Sequence, residues 1–137
     1  MKDASRLPLK LRTNRTREGP LFRKEGKDLI LEYDYEKDDG NTEICEIVFT
    51  EVLNFEYRQA SCLEAFDILC PTEMLCLYQS DRLSFILKLW QKSVGWQEQD
   101  LRKLGEERFK HYKMYFDDSG CVDIIASAAC FTSPTGP

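Results

Sequence analysis

The chain has no long apolar run. None of its 137 residues belongs to a stretch approaching the roughly 20 apolar residues that a membrane-spanning helix needs. The first twenty residues also contain no apolar segment of the kind found in a secretory signal peptide. We therefore expect a cytoplasmic protein with no membrane contact. Hydrophobic residues make up 42% of the chain, which is enough to form one buried core.

Residues that build catalytic and metal sites are also scarce. The sequence contains one histidine, His111, and its six cysteines include no C-x-x-C pair of the kind that marks structural zinc sites. It has no phosphate-binding loop, dinucleotide-binding fingerprint, G-x-S-x-G motif or H-E-x-x-H motif. We therefore predict no catalytic residue, no metal site and no cofactor, and we expect a protein that is not an enzyme.

Charge is unevenly distributed along the chain. Residues 1–27 carry a net charge of +6, so residues 28–137 carry −11. This basic leader either lies back on the acidic body or forms an arm for nucleic-acid phosphates. The alternation of Leu7, Leu9 and Leu11 with Pro8 and polar residues favours an edge strand, and hence the first interpretation. The predicted organisation is a leader at 1–27, one β-rich domain at 28–131 and a tail at 132–137.

The pattern around Asp38-Asp39-Gly40 predicts a β-hairpin. Apolar and polar residues alternate on both sides, which we interpret as two strands joined by a three-residue loop with Gly40 at positive φ. The register of this loop pairs apolar residues on one face: Leu29 with Phe49, Leu31 with Ile47, and Tyr33 with Cys45. The other face sets Glu32 opposite Glu46, a like-charge pair that costs stability.

The stretch FKHYKMYFDDSGCVDIIA, residues 109–126, predicts a second hairpin. With Asp118-Ser119-Gly120 as the loop and Gly120 at positive φ, its apolar face pairs Phe116 with Val122, Met114 with Ile124, and Tyr112 with Ala126. The polar face then pairs Tyr115 with Asp123 and leaves His111 at the surface. Cys121 stands about 20 Å from His111 along this hairpin, which excludes a Cys–His dyad.

One helix follows from the spacing of apolar residues. Leu83, Ile86, Leu87 and Trp90 recur at helical intervals, with Ser80 or Asp81 as the N-cap and Gly95 at the end. A third strand is predicted around Leu53, Phe55 and Tyr57, short strands or loops flank Pro71, and a weaker helical turn covers residues 98–104. The predicted fold class is α+β: a mainly antiparallel β-sheet with two D-x-G hairpins and one main α-helix packed on it.

The second hairpin, together with the upstream stretches LILEYDY and EVLNFEYRQ, resembles a family of small uncharacterised bacterial proteins. The shared pattern is F-x-x-Y-x-x-Y-F-D-D-x-G-C-x-D-x-I-A, and the resemblance covers roughly residues 20–130. Some proteins of this kind look like immunity proteins, which bind and neutralise a toxin made by the same cell. The resemblance implies a protein partner and supplies no site residues.

The expected function is therefore binding to a protein partner, such as a basic toxin domain. An acidic body suits that role, because inhibitors of basic nucleases present carboxylates where the nuclease expects phosphate. The candidate contact residues are Glu32, Asp34 and Glu46 on the first hairpin, with Tyr115 and Asp123 on the second. Two alternatives remain open: a small hydrolase using Glu32 and Glu46 as paired carboxylates, and nucleic-acid binding through the basic leader.

Overall fold

The computed structural model describes residues 4–8, 20–37, 39–59, 73–95, 103, 107–116 and 120–132. These residues form nine strands and one helix, which confirms the predicted α+β class with a mainly antiparallel sheet. In chain order the elements are β1 (Ala4–Pro8), β2 (Leu21–Glu25), β3 (Asp28–Glu36), β4 (Thr42–Thr50), β5 (Asn54–Gln59), β6 (Glu73–Leu77), α1 (Asp81–Val94), β7 (Lys110–Phe116), β8 (Gly120–Ala126) and β9 (Ala128–Thr132).

The strands form two antiparallel sheets that pack face to face. The five-stranded sheet has the order β1-β6-β7-β8-β5, and the four-stranded sheet has the order β2-β3-β4-β9. Side chains from both inner faces make one core, in which Tyr33 contacts Phe116 edge-on at 5.4 Å between ring centroids and Phe49 contacts Tyr112 at 5.5 Å. The fold is therefore a two-layer β-sandwich, in which β3 and β4 bury mainly alternate residues and β8 is buried along its whole length.

The first hairpin has the predicted register. Leu29 pairs with Phe49, Leu31 with Ile47, Tyr33 with Cys45, and Glu32 with Glu46. Its loop is closed by hydrogen bonds from the Lys37 amide to the Asn41 carbonyl at 2.8 Å and from the Gly40 amide to the Lys37 carbonyl at 2.9 Å. Gly40 has φ of +86°, the left-handed conformation that the three-residue loop requires.

The predicted register of the second hairpin is wrong by two residues. Phe116 pairs with Gly120, Met114 with Val122, and Tyr112 with Ile124. Because side chains alternate with a period of two, a shift of two residues leaves every side chain on its predicted face. The apolar pattern therefore fits both registers equally well, and Tyr112, Met114 and Phe116 are buried as expected. Gly120 has the predicted positive φ, at +140°, but it lies within β8.

Two corners carry the chain from one sheet to the other at the same end of the sandwich. The chain passes from β4 to β5 through Glu51, which has φ of +51°, and from β8 to β9 through Ser127. The corners are bonded to each other, because the Thr50 carbonyl accepts hydrogen bonds from the Ser127 amide at 2.9 Å and from the Ser127 hydroxyl at 3.1 Å. This joins the ends of β4 and β8 firmly.

Helix α1 has the predicted bounds and caps. The Ser80 hydroxyl is the N-cap, accepting a hydrogen bond from the Leu83 amide at 3.0 Å, and Gly95 ends the helix in the left-handed conformation. The apolar stripe of the helix packs on the outer face of the five-stranded sheet, in a cluster formed by Leu83, Ile86, Leu87, Trp90, Leu53, Phe109 and Ile125. The helix therefore covers part of the face that points away from the main core.

The leader contributes strands to both sheets. β1 lies at the edge of the five-stranded sheet and ends at Pro8, as predicted for an edge strand. β2 pairs with β3 across the tight turn at Gly26 and Lys27, so the predicted boundary at residue 27 falls inside one sheet. The predictions for residues 9–11, for residues 60–72 and for most of residues 98–104 fall outside the described residues. The described part of the chain contains no helix long and apolar enough to cross a bilayer.

Replacement of Gly40 by alanine should destabilise the protein. No heavy atom lies within 4 Å of the position that the new Cβ would take, so the loss comes from backbone strain and not from a clash. We expect the free energy of unfolding in denaturant to fall by about 1 kcal/mol. Gly40→Asn is the control, because asparagine tolerates positive φ and should lose less. An alanine variant as stable as the parent protein would contradict this account of the loop.

Candidate functional site

A chain of hydrogen-bonded side chains joins the start of α1 to the outer face of the five-stranded sheet. The Ser80 Oγ lies 2.8 Å from His111 Nδ1, and His111 Nε2 lies 2.7 Å from Asp123 Oδ1. His111 and Asp123 are only 3% and 1% exposed, whereas Ser80 is half-buried. The sequence order serine, histidine, carboxylate thus becomes a spatial order running from the surface to the interior.

The strand register explains why these residues meet. His111 on β7 pairs with Ile125 on β8, and Lys113 pairs with Asp123, so His111 and Asp123 are diagonal neighbours on the same face. Two expectations are corrected here, because His111 is buried instead of lying at the surface, and Asp123 pairs with Lys113 instead of Tyr115. Tyr115 pairs with Cys121 through its backbone, and its side chain is outside the described part. The predicted contact pair of Tyr115 and Asp123 is therefore not formed.

Hydrogen-bond chemistry fixes the proton positions in this cluster. An ionised carboxylate only accepts hydrogen bonds, so the proton shared with Asp123 belongs to His111 Nε2. Nδ1 of the neutral ring then has a lone pair and accepts the Ser80 hydroxyl proton. The Ser80 oxygen meanwhile accepts the Leu83 amide. Each polar atom in the series has a compatible donor or acceptor.

Asp123 is surrounded by positive groups. Arg58 Nη2 on β5 donates to its Oδ2 at 2.9 Å, and Lys113 Nζ lies 3.7 Å from its Oδ1. Burial by itself raises the pKa of Asp123, but the hydrogen bond from His111 and the charges of Lys113 and Arg58 outweigh burial and hold this pKa below its usual value. Asp123 is therefore ionised in the folded protein at neutral pH.

Burial lowers the pKa of His111. The hydrogen bond to Asp123 acts in the opposite direction, but desolvation of the ring, assisted by the charges of Lys113 and Arg82, prevails. His111 is consequently neutral at pH 7, in agreement with the proton positions inferred from the hydrogen bonds. A neutral imidazole whose Nδ1 accepts a hydrogen bond from a hydroxyl is in the protonation state of a general base.

Arg82 ties the helix to β5 beside this cluster. Its Nε donates to Asn54 Oδ1 at 2.9 Å, and its Nη1 lies 3.3 Å from Glu56 Oε1. Glu56 also lies 3.5 Å from Arg58 Nε, so that Arg82, Glu56, Arg58 and Asp123 form a continuous series of alternating charges. The first turn of α1 is thereby held over the sheet by ionic contacts as well as by its apolar stripe.

Cys121, the cysteine of the second hairpin, is a buried thiol. Burial and the negative charge of Asp123 raise the pKa of Cys121 to about 11, which leaves the thiol protonated at neutral pH. The corrected register separates Cys121 from His111 by four residues along the ladder, about 13 Å. The exclusion of a Cys–His dyad is confirmed.

The predicted carboxylates of the first hairpin share the outer face of the four-stranded sheet. We define the acidic face as Glu32, Asp34 and Glu46, which are half-buried and alternate with core residues of β3 and β4. Arg23 on β2 lies between two of them, with its Nη1 3.6 Å from Glu32 and its Nη2 3.7 Å from Glu46. This arginine offsets the repulsion predicted from Glu32 opposing Glu46.

Apolar side chains border the acidic face. Leu21 pairs with Glu32 and is 60% exposed, while Ile44 pairs with Asp34 and is half-buried, as is Val48 beside Glu46. Carboxylates interspersed with accessible aliphatic groups make a surface suited to contact with another protein.

Sequence reasoning missed Ser80 and Arg58 as members of the buried cluster. Ser80 was identified only as a helix cap, and Arg58 was given no role. The signal available in the sequence was the polar alternation of His111, Lys113 and Asp123. These residues lie on the strand face on which α1 packs. Within the described ranges, no group of three or more His, Cys, Asp and Glu side chains could hold a metal ion.

Neutralising Asp123 should strongly destabilise the fold. Asp123→Asn keeps the shape of the side chain but leaves Arg58 and Lys113 without a buried counter-charge, so we expect the free energy of unfolding to fall by about 3 kcal/mol. Glu36→Gln is the matched control, because Glu36 is exposed on β3, and it should change stability by less than about 0.5 kcal/mol. Equal changes in the free energy of unfolding for the two substitutions would show that the charge of Asp123 does not stabilise the fold.

Stability should fall as the pH is lowered from 7.5 to 5.5. His111 is the only histidine, and its pKa in the folded state is below the ordinary value of 6.5. The unfolded chain therefore takes up a proton first, so the stability present above pH 6.5 is lost as the pH falls towards the folded-state pKa. Denaturant unfolding at several pH values measures this decline. His111→Gln should flatten it, and an unchanged slope in that variant would refute the assignment.

Comparisons of the chain with protein-family models, with curated proteins and with solved structures gave no match. The resemblance of the second hairpin to immunity-like proteins thus stays an interpretation of the sequence. Two features of the described residues bear on function: the acidic face on one sheet, and the largely buried Ser80–His111–Asp123 cluster on the other.

Proposed function

We propose that this chain is a protein-binding module that uses the acidic face to bind a basic protein partner. The partner class is a basic toxin domain, which would make the chain an immunity protein. The observation that carries the proposal is the placement of Glu32, Asp34 and Glu46 together on one face of the first hairpin. Two glutamates directly opposite each other destabilise an antiparallel sheet, so the stability of the fold does not account for this pair.

The charges of this face are in an environment that suits recognition. Their side chains are partly removed from water, with Glu32 30% and Glu46 19% exposed, and partly buried charges are screened less by salt than fully exposed ones. A basic partner would be steered towards them by the net charge of −11 on residues 28–137. Electrostatic attraction of this kind raises association rates and selects the partner.

The neighbouring apolar groups supply the second component of an interface. Leu21, Ile44 and Val48 lie on the same side of the sheet as the carboxylates. Interfaces combine an apolar centre that excludes water with a polar rim that sets register. Leu21 is the best candidate anchor, because it is the most exposed of the three.

Arg23 would compete with a cationic side chain of the partner for the carboxylates of the acidic face. Its guanidinium lies near Glu25, Glu32 and Glu46, where an arginine or lysine of a partner would bind. Its distances of 3.6 and 3.7 Å to Glu32 and Glu46 are longer than good charged hydrogen bonds, so a partner cation could replace it at low cost. The hydrolase and nucleic-acid alternatives remain predictions, and no further observation favours them.

Removal of two charges from the acidic face should weaken binding. Glu32→Gln with Glu46→Gln keeps side-chain volume and removes the opposing pair. Because an immunity protein neutralises a toxin made by the same cell, the partner to test is the protein encoded by the adjacent gene. We expect the Kd for that protein to rise about tenfold or more, which corresponds to about 1.4 kcal/mol. The Kd is measured by titration calorimetry at two salt concentrations, and higher salt should weaken binding by the parent protein more than binding by the variant.

The control removes the same number of charges elsewhere. Asp81→Asn with Glu107→Gln changes two exposed residues on the other side of the molecule and should leave the Kd unchanged. Circular dichroism verifies that both double variants are folded. A folded Glu32→Gln, Glu46→Gln protein that binds as tightly as the parent would eliminate this surface, and an adjacent gene product with no affinity for the parent protein would eliminate the proposed partner.

A further inference from the structure

We propose that Ser80, His111 and Asp123 form a nucleophilic site that can be acylated at the Ser80 hydroxyl. Ser80 is the nucleophile, His111 the general base and Asp123 the residue that positions the imidazole. The proposal goes beyond the binding function and differs from the expectation of a chain without catalytic residues. It concerns the opposite sheet from the acidic face, so the two proposals stand or fall separately.

The distances fit these three roles. A nucleophile and its base must lie within hydrogen-bond reach, and the base must be oriented by a third group. Ser80 Oγ is 2.8 Å from His111 Nδ1, and Asp123 Oδ1 is 2.7 Å from His111 Nε2. The carboxylate is held in turn by Arg58 at 2.9 Å, which prevents it from rotating away from the ring.

Exposure increases from Asp123 through His111 to Ser80, which is the order expected when the serine is the nucleophile. Asp123 and His111 are buried, whereas Ser80 retains part of its surface. The network ends at Ser80, which is half-buried, and a nucleophile must be within reach of its substrate. Capping of α1 does not explain the arrangement either, since the Ser80 oxygen accepts the Leu83 amide without any help from His111.

The chemical step can be written with all atoms accounted for. The Ser80 oxygen attacks the carbonyl carbon of an ester, and its proton passes to His111 Nδ1. The carbon–oxygen bond to the leaving alcohol then breaks, and His111 returns the proton to that alcohol. Water then attacks the acyl carbon and gives a proton to His111, the bond from that carbon to the Ser80 oxygen breaks, and His111 returns the proton to the Ser80 oxygen as the carboxylic acid leaves. Asp123 stays ionised throughout and stabilises the transient imidazolium.

The substrate class is an acyl ester, because a serine activated by a histidine base attacks acyl carbon. Ser80 is the least buried residue of the cluster and immediately precedes the first turn of α1. A hydrogen bond from Arg82 to Asn54 and an ion pair of Arg82 with Glu56 hold that turn in place, so Ser80 is fixed relative to His111 without a substrate. Fixed geometry of this kind is what lowers the barrier to acyl transfer.

The test uses a fluorophosphonate probe on the intact protein. The Ser80 oxygen should displace fluoride and form one phosphonyl ester, which mass spectrometry detects as a single adduct that peptide mapping assigns to Ser80. His111→Gln retains a donor to Asp123 but has no base, and it should label at least a hundredfold more slowly. Hydrolysis of p-nitrophenyl acetate should decline in parallel.

Two further variants separate the nucleophile from the helix cap. Ser80→Asp preserves an N-cap and removes the hydroxyl, so it should fold and take no label. Ser84→Ala removes a different, exposed serine of the same helix and should label at the parent rate. The proposal is overturned if the folded parent protein takes no label, if the adduct lies on another residue, or if His111→Gln reacts as fast as the parent.

Discussion

The carboxylate of Asp123 connects three strands and, through His111, the helix. It lies on β8, accepts from Arg58 on β5 and from His111 on β7, and through His111 it reaches the residue that caps α1. A buried charge is tolerated only when its partners satisfy it, so all of these elements must be in place together. The position of α1 over the sheet thus depends on electrostatics as much as on its apolar stripe.

The sandwich uses its two outer faces differently. The outer face of the five-stranded sheet is partly covered by α1, and the Asp123 carboxylate on this face is paired with Arg58. The outer face of the four-stranded sheet carries carboxylates and accessible aliphatic groups, with Arg23 as a loosely held cation. Paired buried charges organise a fold, whereas partly exposed charges near apolar groups suit recognition. The proposed binding surface and the proposed nucleophilic site therefore lie on different sheets.

Much of the fold could be predicted from residue patterns, and the failures have physical causes. The register of the first hairpin followed from Gly40 and its alternating flanks, and the helix followed from Ser80, the Leu83 stripe and Gly95. The second hairpin was misplaced by two residues because its apolar face fits both registers. The pairing of the two sheets into a sandwich depends on contacts distant in sequence, which local patterns do not encode.

The residues of one candidate site could be predicted from the sequence, and those of the other could not. Glu32, Asp34 and Glu46 were found because the register alone places them on one face. His111 and Asp123 were misjudged as surface residues, since a strand pattern distinguishes two faces but cannot reveal that a helix covers the polar one. Ser80 and His111 are 31 residues apart, and only tertiary structure brings them together.

The corner at Thr50 and Ser127 has a consequence for how the protein opens. Two of the crossings between the layers, from β4 to β5 and from β8 to β9, lie there, and the Thr50 carbonyl bonds one to the other. Movement of either crossing away from the other breaks these hydrogen bonds. Backbone amides of β4 and β8 should therefore exchange with deuterium through a single cooperative unit, whose opening energy approaches that of global unfolding.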